Sequence, residues 1–346
     1  MPSGVLSKIL FHLSVDGPLA LRHLLLVSKW FYYTVVNEDT LWTTISFDAE
    51  FFSHFRGRSV KQANSFAEQC LRRSNSRPLC IRIMCDGAFE NELIAGPLQA
   101  LRNPMYRGYQ RCTSLIWYHD KWSAQKVRGI VAMLPEEFPS LQQLSLFCFR
   151  DPMGGSPFPN CPVIDRVEIL GHNRPRPVFW GTNFAHVTTL CFGNSSIDGW
   201  ANFRIAMVSL FPGLRDLTLF TDGTGAPKRL ESQGPVEFQY LQFLRVRGCI
   251  PSEVLTCVVA PILEELHIKA NTFHRTSIAT LRYYSEPHCR HLHAHLPEAV
   301  SVEEPHWAEA FAVLVGEYTR LKTLHISKWM EEKCQKFIGH YDIVLY

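Results

Sequence analysis

The eleven residues 263–273, Leu263-Glu264-Glu265-Leu266-His267-Ile268-Lys269-Ala270-Asn271-Thr272-Phe273, constrain the fold of this chain more than any other stretch. They read L-x-x-L-x-L-x-x-N-x-Φ. Leu266 and Ile268, two residues apart, point to one side of a short extended strand; Asn271 suits a bridge between backbone groups of adjoining turns, and Phe273 closes the coil. The core L-x-x-L-x-L, with apolar substitutes, recurs at Cys112/Leu115/Trp117, Leu141/Leu144/Leu146, Ile164/Val167/Ile169, Val187/Leu190/Phe192, Leu214/Leu217/Leu219, Leu241/Leu244/Val246, Cys289/Leu292/Ala294 and Leu321/Leu324/Ile326. One match means nothing, because any amphipathic segment supplies it by chance. Nine in series, with middle residues spaced by 29, 23, 23, 27, 27, 22, 26 and 32, are informative. A unit of this kind cannot bury its apolar side alone, and stacked copies bury a continuous core.

These spacings lie close to the roughly 20–29 residue leucine-rich period, and the pattern resembles a degenerate leucine-rich repeat. Only Asn271 and Cys249 fill the Asn/Cys position that follows the strand. The resemblance implies an α/β fold: an irregular leucine-rich-repeat-like solenoid with a parallel sheet, over residues 79–346. The competing expectation is a mixed α/β domain of unrelated strands. Leu79, Ile81 and Ile83 alternate as the first strand. Between rungs, Ser123–Leu134, Trp200–Phe211, Ser252–Val259 and Glu304–Tyr318 carry apolar residues at helical intervals. Pro- and Gly-bearing loops are expected at Asp151–Pro162, Gly171–Pro177 and Asp222–Gly234. The tail reads as an amphipathic helix, Lys328–Phe337, and a final strand within Tyr341–Tyr346, suited to cap the repeat.

Composition narrows the function classes. A formal charge of +3 over 346 residues favours neither a nucleic-acid binder nor a membrane-surface protein. No run of about 18 apolar residues exists, and the N-terminus lacks a signal peptide's basic region, apolar run and cleavage site. A cytoplasmic or nuclear protein is expected. The eleven cysteines include no C-x-x-C pair, and Cys112, Cys249 and Cys289 fall on repeat core positions. They read as small hydrophobes in a reducing compartment.

At the N-terminus, Val5, Leu6, Ile9, Leu10 and Leu13 form one apolar helical side. Asp16-Gly17-Pro18 marks a turn, Leu21, Leu24, Leu25 and Ser28 follow at helical spacing, and Lys29–Val36 continues apolar until Asn37-Glu38-Asp39. Three short helices in about 45 residues need a partner or a following domain to cover them. Pro2, Val5-Leu6, Ile9-Leu10, Leu26-Val27-Ser28-Lys29-Trp30-Phe31 and Leu41-Trp42 resemble the F-box, and Cys70–Leu79 is similar to the helix and turn that follow it in fungal-type F-box proteins. Met1 and Gly4 depart from the usual Leu and Glu, and Gly4 weakens the first helix by about 1 kcal/mol against Ala. The resemblance implies three parts: an F-box-like helical domain at 1–46, a connecting helical segment at 47–78, and the repeat domain at 79–346. It implies a substrate-receptor subunit of an SCF-type cullin-RING ubiquitin ligase. A Skp-family adaptor, and cullin through it, would be bound by Pro2, Val5, Leu6, Ile9, Val27, Phe31 and Trp42. The alternative is a non-ligase leucine-rich-repeat binding or scaffold protein with a degenerate F-box.

Motifs for catalysis are missing. Phosphate-cradling glycine patterns, zinc-finger spacings, H-E-x-x-H and G-x-S-x-G do not occur, so neither enzyme activity nor a cofactor is expected. His291, His293 and His295 alternate on one strand and suit Zn²⁺ or Cu²⁺ through two imidazoles. Successive Cα atoms there lie about 6–7 Å apart, so no metal centre is expected; Cys289, Leu292 and Ala294 would form the core, leaving the histidines outside. Residues flanking the last two apolar positions of each rung point away from the core. In the later rungs these include Phe243, Arg245, Arg247, Glu265, His267, Lys269, His291, His293, His295 and His325, with three fixed cations and five imidazoles against one carboxylate. If a loop or the tail does not cover it, this side favours an acidic or phosphorylated protein substrate. The expected substrate contacts are Phe243, Arg245, Arg247, His267, Lys269, His291, His293 and His295.

Overall fold

The structure, a computed structural model, describes residues 10, 18–21, 24–55, 59–86, 91–120, 129–130, 132–148, 159–171, 184–194, 211–220, 236–248, 258–269, 289–295, 321–326 and 342–345. The loops expected at 222–234, most of those at 151–162 and 171–177, and nearly all of the inter-rung and tail helices lie outside them. So do Asn271 and Phe273. The chain divides into two units, Met1–Glu168 with Pro177–Phe184, and Ile169–Arg176 with Ala185–Tyr346.

In the first unit, short 3-10 turns at Pro18–Leu21 and Leu24–Leu26 precede helix α1 (Lys29–Asn37). Ser28 starts that helix because its hydroxyl accepts the Phe31 N–H at 3.2 Å, satisfying a backbone donor that the first turn leaves free. A 3-10 turn, Asp39–Trp42, leads into β1 (Thr44–Phe47), followed by α2 (Ala49–Phe55), α3 (Val60–Arg73), β2 (Leu79–Asp86), α4 (Asn91–Arg102), β3 (Cys112–Asp120) and β4 (Gln143–Cys148). The strands β1 to β4 pair in chain order, all parallel. Their register aligns Ile45, Ile81, Leu115 and Leu144 in one buried row and Phe47, Ile83, Trp117 and Leu146 in the next. Against the sheet, Phe51 packs on Phe47 with ring centroids 5.2 Å apart and on Phe55 at 4.8 Å. Phe66 of α3 closes this group at 5.7 Å from Phe55.

The sheet begins earlier than expected. Thr44-Ile45-Ser46-Phe47 is a strand, and the residues expected to end the helical domain at Ser46 pair with β2. Four residues with two apolar positions are too few for alternation to stand out. The helix expected over Ser59–Arg73 is present and α2 falls within the helical segment expected at 47–78, whereas α4 was not anticipated. At the end of α3, Asn75 takes a left-handed φ of 51° and Arg111 reaches back to the helix carboxyl end. Its guanidinium donates to Leu71 O at 3.3 Å, Ser74 Oγ at 3.3 Å and Arg77 O at 3.1 Å, where helix carbonyls favour a cation.

β5 (Arg166–Gly171) buries Val167 and Ile169. In the second unit, β6 (Thr189–Asn194), β7 (Asp216–Phe220), β9 (Phe243–Arg247), β11 (Glu265–Lys269), β12 (His291–His295), β13 (Thr323–Ile326) and β14 (Asp342–Leu345) pair in that order, all parallel. Leu190, Leu217, Leu244, Leu266, Leu292, Leu324 and Ile343 share one register row; Phe192, Leu219, Val246, Ile268, Ala294, Ile326 and Leu345 share the next. The middle residues of all nine expected rungs are buried strand residues. The final strand expected near Tyr341 is β14. A separate parallel pair, β8 (Val236–Glu237) with β10 (Val258–Val259), corrects the helix expected over Ser252–Val259: its last two residues, both β-branched, are a strand.

Among the described residues, five of the strands are also preceded by a turn that the six-residue pattern omits. Leu141, Ile164, Leu214, Leu241 and Leu263 donate their N–H to the carbonyls of Phe138, Cys161, Phe211, Phe238 and Ala260, at 3.2–3.3 Å. Proline follows that acceptor in four of the five, Pro139, Pro162, Pro212 and Pro261, where a turn wants φ near −65°. Phe138, Cys161, Phe211 and Phe238 are buried beneath the turn.

Among the described residues, the fold is therefore α/β with parallel strands and few helices, and no helix is long and apolar enough to cross a membrane. Replacing Leu266, wholly buried between Leu244 and Leu292, by Ala should destabilise the protein by about 2–5 kcal/mol. Replacing exposed His186 by Ala should change stability by no more than about 0.5 kcal/mol, and urea unfolding of the two variants checks the contrast.

Candidate functional site

The later strands of the second unit alternate strictly. In β9, β11 and β13 every second residue is buried, and the residues between them form the opposite surface. Because all strands are parallel and in register, that surface is a grid. One row runs Asp216, Phe243, Glu265, His291, Thr323; the next runs Thr218, Arg245, His267, His293, His325; a third runs Phe220, Arg247, Lys269, His295.

The middle row holds the chemistry. The rings of His267 and His293 stack with centroids 3.9 Å apart and planes 6° from parallel; His293 and His325 stack at 3.9 Å and 11°. Three imidazoles thus lie face to face on consecutive strands. The carboxylate of Glu265 serves two of them, with Oε1 2.5 Å from His267 Nε2 and 3.1 Å from His293 Nε2. The donor atoms of Glu265, His267 and His293 all lie within 4.8 Å of one another. On one flank Asp216 forms an ion pair with Arg245, which also lies 5.9 Å from the Phe243 ring centroid. On the other flank His291 Nδ1 lies 3.1 Å from Thr323 Oγ1.

Charge follows from this packing. Burial lowers His293 to a pKa of about 4; neighbouring His267 and His325 push the same way, and Glu265 opposes them without prevailing. For Glu265, burial acts upward and is the largest single influence. It is outweighed by the hydrogen bond from His267 together with the charges of His267, His293 and Arg245, so the carboxyl sits below its usual value. At neutral pH the pair is a neutral imidazole beside a carboxylate.

Of the expected substrate contacts, Phe243, Arg245, His267, His291 and His293 are half-buried on this surface, and Arg247 and Lys269 are exposed in adjoining register positions. His295 is placed by register beside Lys269. The surface is less cationic than residue counting implied, because Arg245 is engaged by Asp216 from the neighbouring strand. The histidines also meet differently from the expectation. His291, His293 and His295 were grouped along one strand, but the contacts run across strands, through His267, His293 and His325, which are 26 and 32 residues apart in the chain.

Of the expected adaptor contacts, Pro2, Val5, Leu6 and Ile9 lie outside the described residues. Val27 is 62% exposed, next to Leu26 at 85%, and Phe31 is half-buried on α1, with Tyr32 and Tyr33 exposed beside it. Trp42 is a core residue instead: its Nε1–H donates to Val35 O at 2.8 Å in a buried contact, and the Arg73 guanidinium lies 4.4 Å from its ring centroid.

Elsewhere, a groove of about 680 Å³ between α3 and α4 is lined by Asn64, Glu68, Gln99, Arg102, Asn103 and Met133, without a nucleophile and base in contact among them. Burial pushes the thiols of Cys70, Cys161 and Cys289 up to about 12, and that of Cys112 up as well, which suits inert packing. No family model matches the chain, and no curated protein matches it.

The imidazole row predicts a pH dependence. His293 has a folded pKa below its ordinary 6.5, so between pH 6.5 and about 4 the unfolded chain holds more protons than the folded one. Its contribution is full above pH 6.5 and is lost as pH falls towards 4. The wild-type urea midpoint should fall over that window, and His293→Gln should flatten the fall.

Proposed function

We propose that this chain is the substrate-receptor subunit of an SCF-type cullin-RING ubiquitin ligase. In this reading the N-terminal residues form an F-box and the parallel strands form an irregular leucine-rich-repeat-like solenoid. The observation that carries it is the apolar surface at residues 26–33. Leu26, Val27, Tyr32 and Tyr33 are exposed while Val35, Leu41 and Trp42, close to them in sequence, are buried, so an anchored segment presents apolar side chains to solvent. These residues belong to the stretch that resembles an F-box. Single exposed apolar residues are ordinary, but several within eight residues suit an interaction surface. A Skp-family adaptor would cover them by helix-in-groove packing, and cullin would follow through the adaptor.

The chain itself does no covalent chemistry in this reading. It holds a target lysine near the charged conjugating enzyme and raises effective concentration. The surface of β9, β11 and β12 takes the protein substrate. Arg247 and Lys269, exposed side by side, favour an acidic or phosphorylated segment through charge-assisted hydrogen bonds. The protein works inside the cell, in the cytoplasm or nucleus, where the ligase acts.

Deleting residues 1–46 would remove most of β1 and the Trp42 anchor, so point variants test the adaptor contact better. Leu26→Asp with Val27→Asp should abolish co-purification of a Skp-family adaptor and leave the unfolding midpoint unchanged. Equal adaptor recovery from that variant counts against the proposed contact. If the wild-type chain recovers no adaptor or cullin but another stable partner, the non-ligase scaffold stands in its place. For the substrate surface, Arg247→Glu with Lys269→Glu should eliminate substrate capture while adaptor binding persists. Arg245→Glu is unsuitable because it sets a carboxylate against Asp216 and Glu265. Capture that survives this reversal and ignores salt would move recognition away from these strands.

A further inference from the structure

We propose that Glu265, His267 and His293 form a binding site for one divalent transition-metal ion of the Zn²⁺ class. The site shares the surface of β11 and β12 with the proposed substrate contacts, involves none of the adaptor contacts, and does not require the ligase reading.

Three donors of the right kind converge. Two imidazole nitrogens and one carboxylate oxygen lie within 4.8 Å of one another. Bonds of about 2.0–2.2 Å to a tetrahedral ion place donors about 3.3–3.6 Å apart. Glu265 Oε1 is already 3.1 Å from His293 Nε2 and 2.5 Å from His267 Nε2. Such a coordination sphere requires the carboxylate to open from His267 by about 1 Å and the stacked His267 and His293 rings, now parallel to within 6°, to tilt so that both ring nitrogens aim at one point. The donor set selects the ion: two imidazoles suit Zn²⁺, Cu²⁺, Ni²⁺ or Fe²⁺, whereas Ca²⁺ and Mg²⁺ want oxygen ligands throughout. Three protein donors leave a coordination position open for water or for a ligand atom.

The scaffold holds these groups firmly. Glu265 and His267 alternate on β11, and β12 is paired to it residue by residue, so the three Cα positions are set by sheet hydrogen bonds rather than by a loop. The His293 ring lies between the rings of His267 and His325, so metal binding would exchange the His267–His293 stack for two bonds to the ion while the strand backbone stays in place. Arg245, register neighbour of His267, would repel a cation, but Asp216 offsets its charge. Solvent reaches the donors: the side chains are 24%, 30% and 13% exposed for Glu265, His267 and His293.

The test uses full-length, tag-free, chelator-stripped protein titrated with ZnCl2. The expected result is one tight equivalent per chain in the wild type. Glu265→Gln, His267→Ala and His293→Ala should each weaken it on the order of 100-fold, since even groups that merely orient a ligand contribute 10–100-fold. His186→Ala, altering an exposed histidine outside the cluster, should bind as the wild type does. Because an alanine variant can disturb the stack, two further readouts stand beside it. Zn²⁺ should raise the thermal midpoint of the wild type and raise that of Glu265→Gln much less. X-ray absorption of the wild-type complex should show two imidazole nitrogens in the first sphere. The absence of a saturable site in the wild type, equal binding or equal thermal shift in Glu265→Gln, or a sphere with fewer than two imidazoles overturns the proposal.

Discussion

Strict register between parallel strands is the constraint on which the rest of the second unit depends. Each strand contributes two inward apolar residues, and pairing without offset places them on their counterparts, from Leu190 to Leu324 and from Phe192 to Ile326. Since side chains alternate with period two, the same pairing arranges the outward residues in rows. The imidazole stack is a by-product of this order. Nothing local in His267, His293 or His325 demands a stacked geometry; three strands that each carry His between their two inward positions produce it. The Glu265 carboxylate then gives two of those rings a common acceptor.

The strands were legible because their signal is dense: two apolar positions and a third upstream, renewed nine times. Leu115, Leu144, Val167, Leu190, Leu217, Leu244, Leu266, Leu292 and Leu324 are all buried strand residues, as the periodicity requires. β1 was not legible, since Ile45 and Phe47 give one alternation in a stretch already occupied by the F-box resemblance. Nor was α4, where Gly96 and Pro97 interrupt the segment. That helix holds because its buried side chains, Ile94, Leu98 and Leu101, pack in the core, which outweighs poor local propensity. A further signal was present and went unread: Phe138-Pro139, Cys161-Pro162, Phe211-Pro212 and Ala260-Pro261, each three residues before a rung, mark the recurrent turn.

The candidate site was half legible. Its residues were all placed on the outward side, because alternation decides that much. Their grouping was missed for a physical reason. Along a strand, side chains on one side are about 6–7 Å apart, while neighbouring strands approach to about 4.8 Å. Proximity therefore runs across the sheet, between residues whose separation in sequence looks arbitrary. The Arg245–Asp216 pair escaped for the same reason, and with it the cancellation of one of the three cations.

The unequal lengths of the rungs have a consequence for how such a chain tolerates change. Spacings from 22 to 32 residues still deliver unbroken register from one strand to the next, so length variation is absorbed between strands and not within them. Extra residues between rungs cost only loop entropy, about 0.6 kcal/mol for each doubling of length. Loss of one residue inside Leu263–Lys269 is a different event. It would turn Glu265 and His267 inward, expel Leu266 and Ile268, and dissolve the imidazole row in the same step. Insertions and deletions are thus sorted by address, and the connections are free to drift in length while the five-residue strands are not.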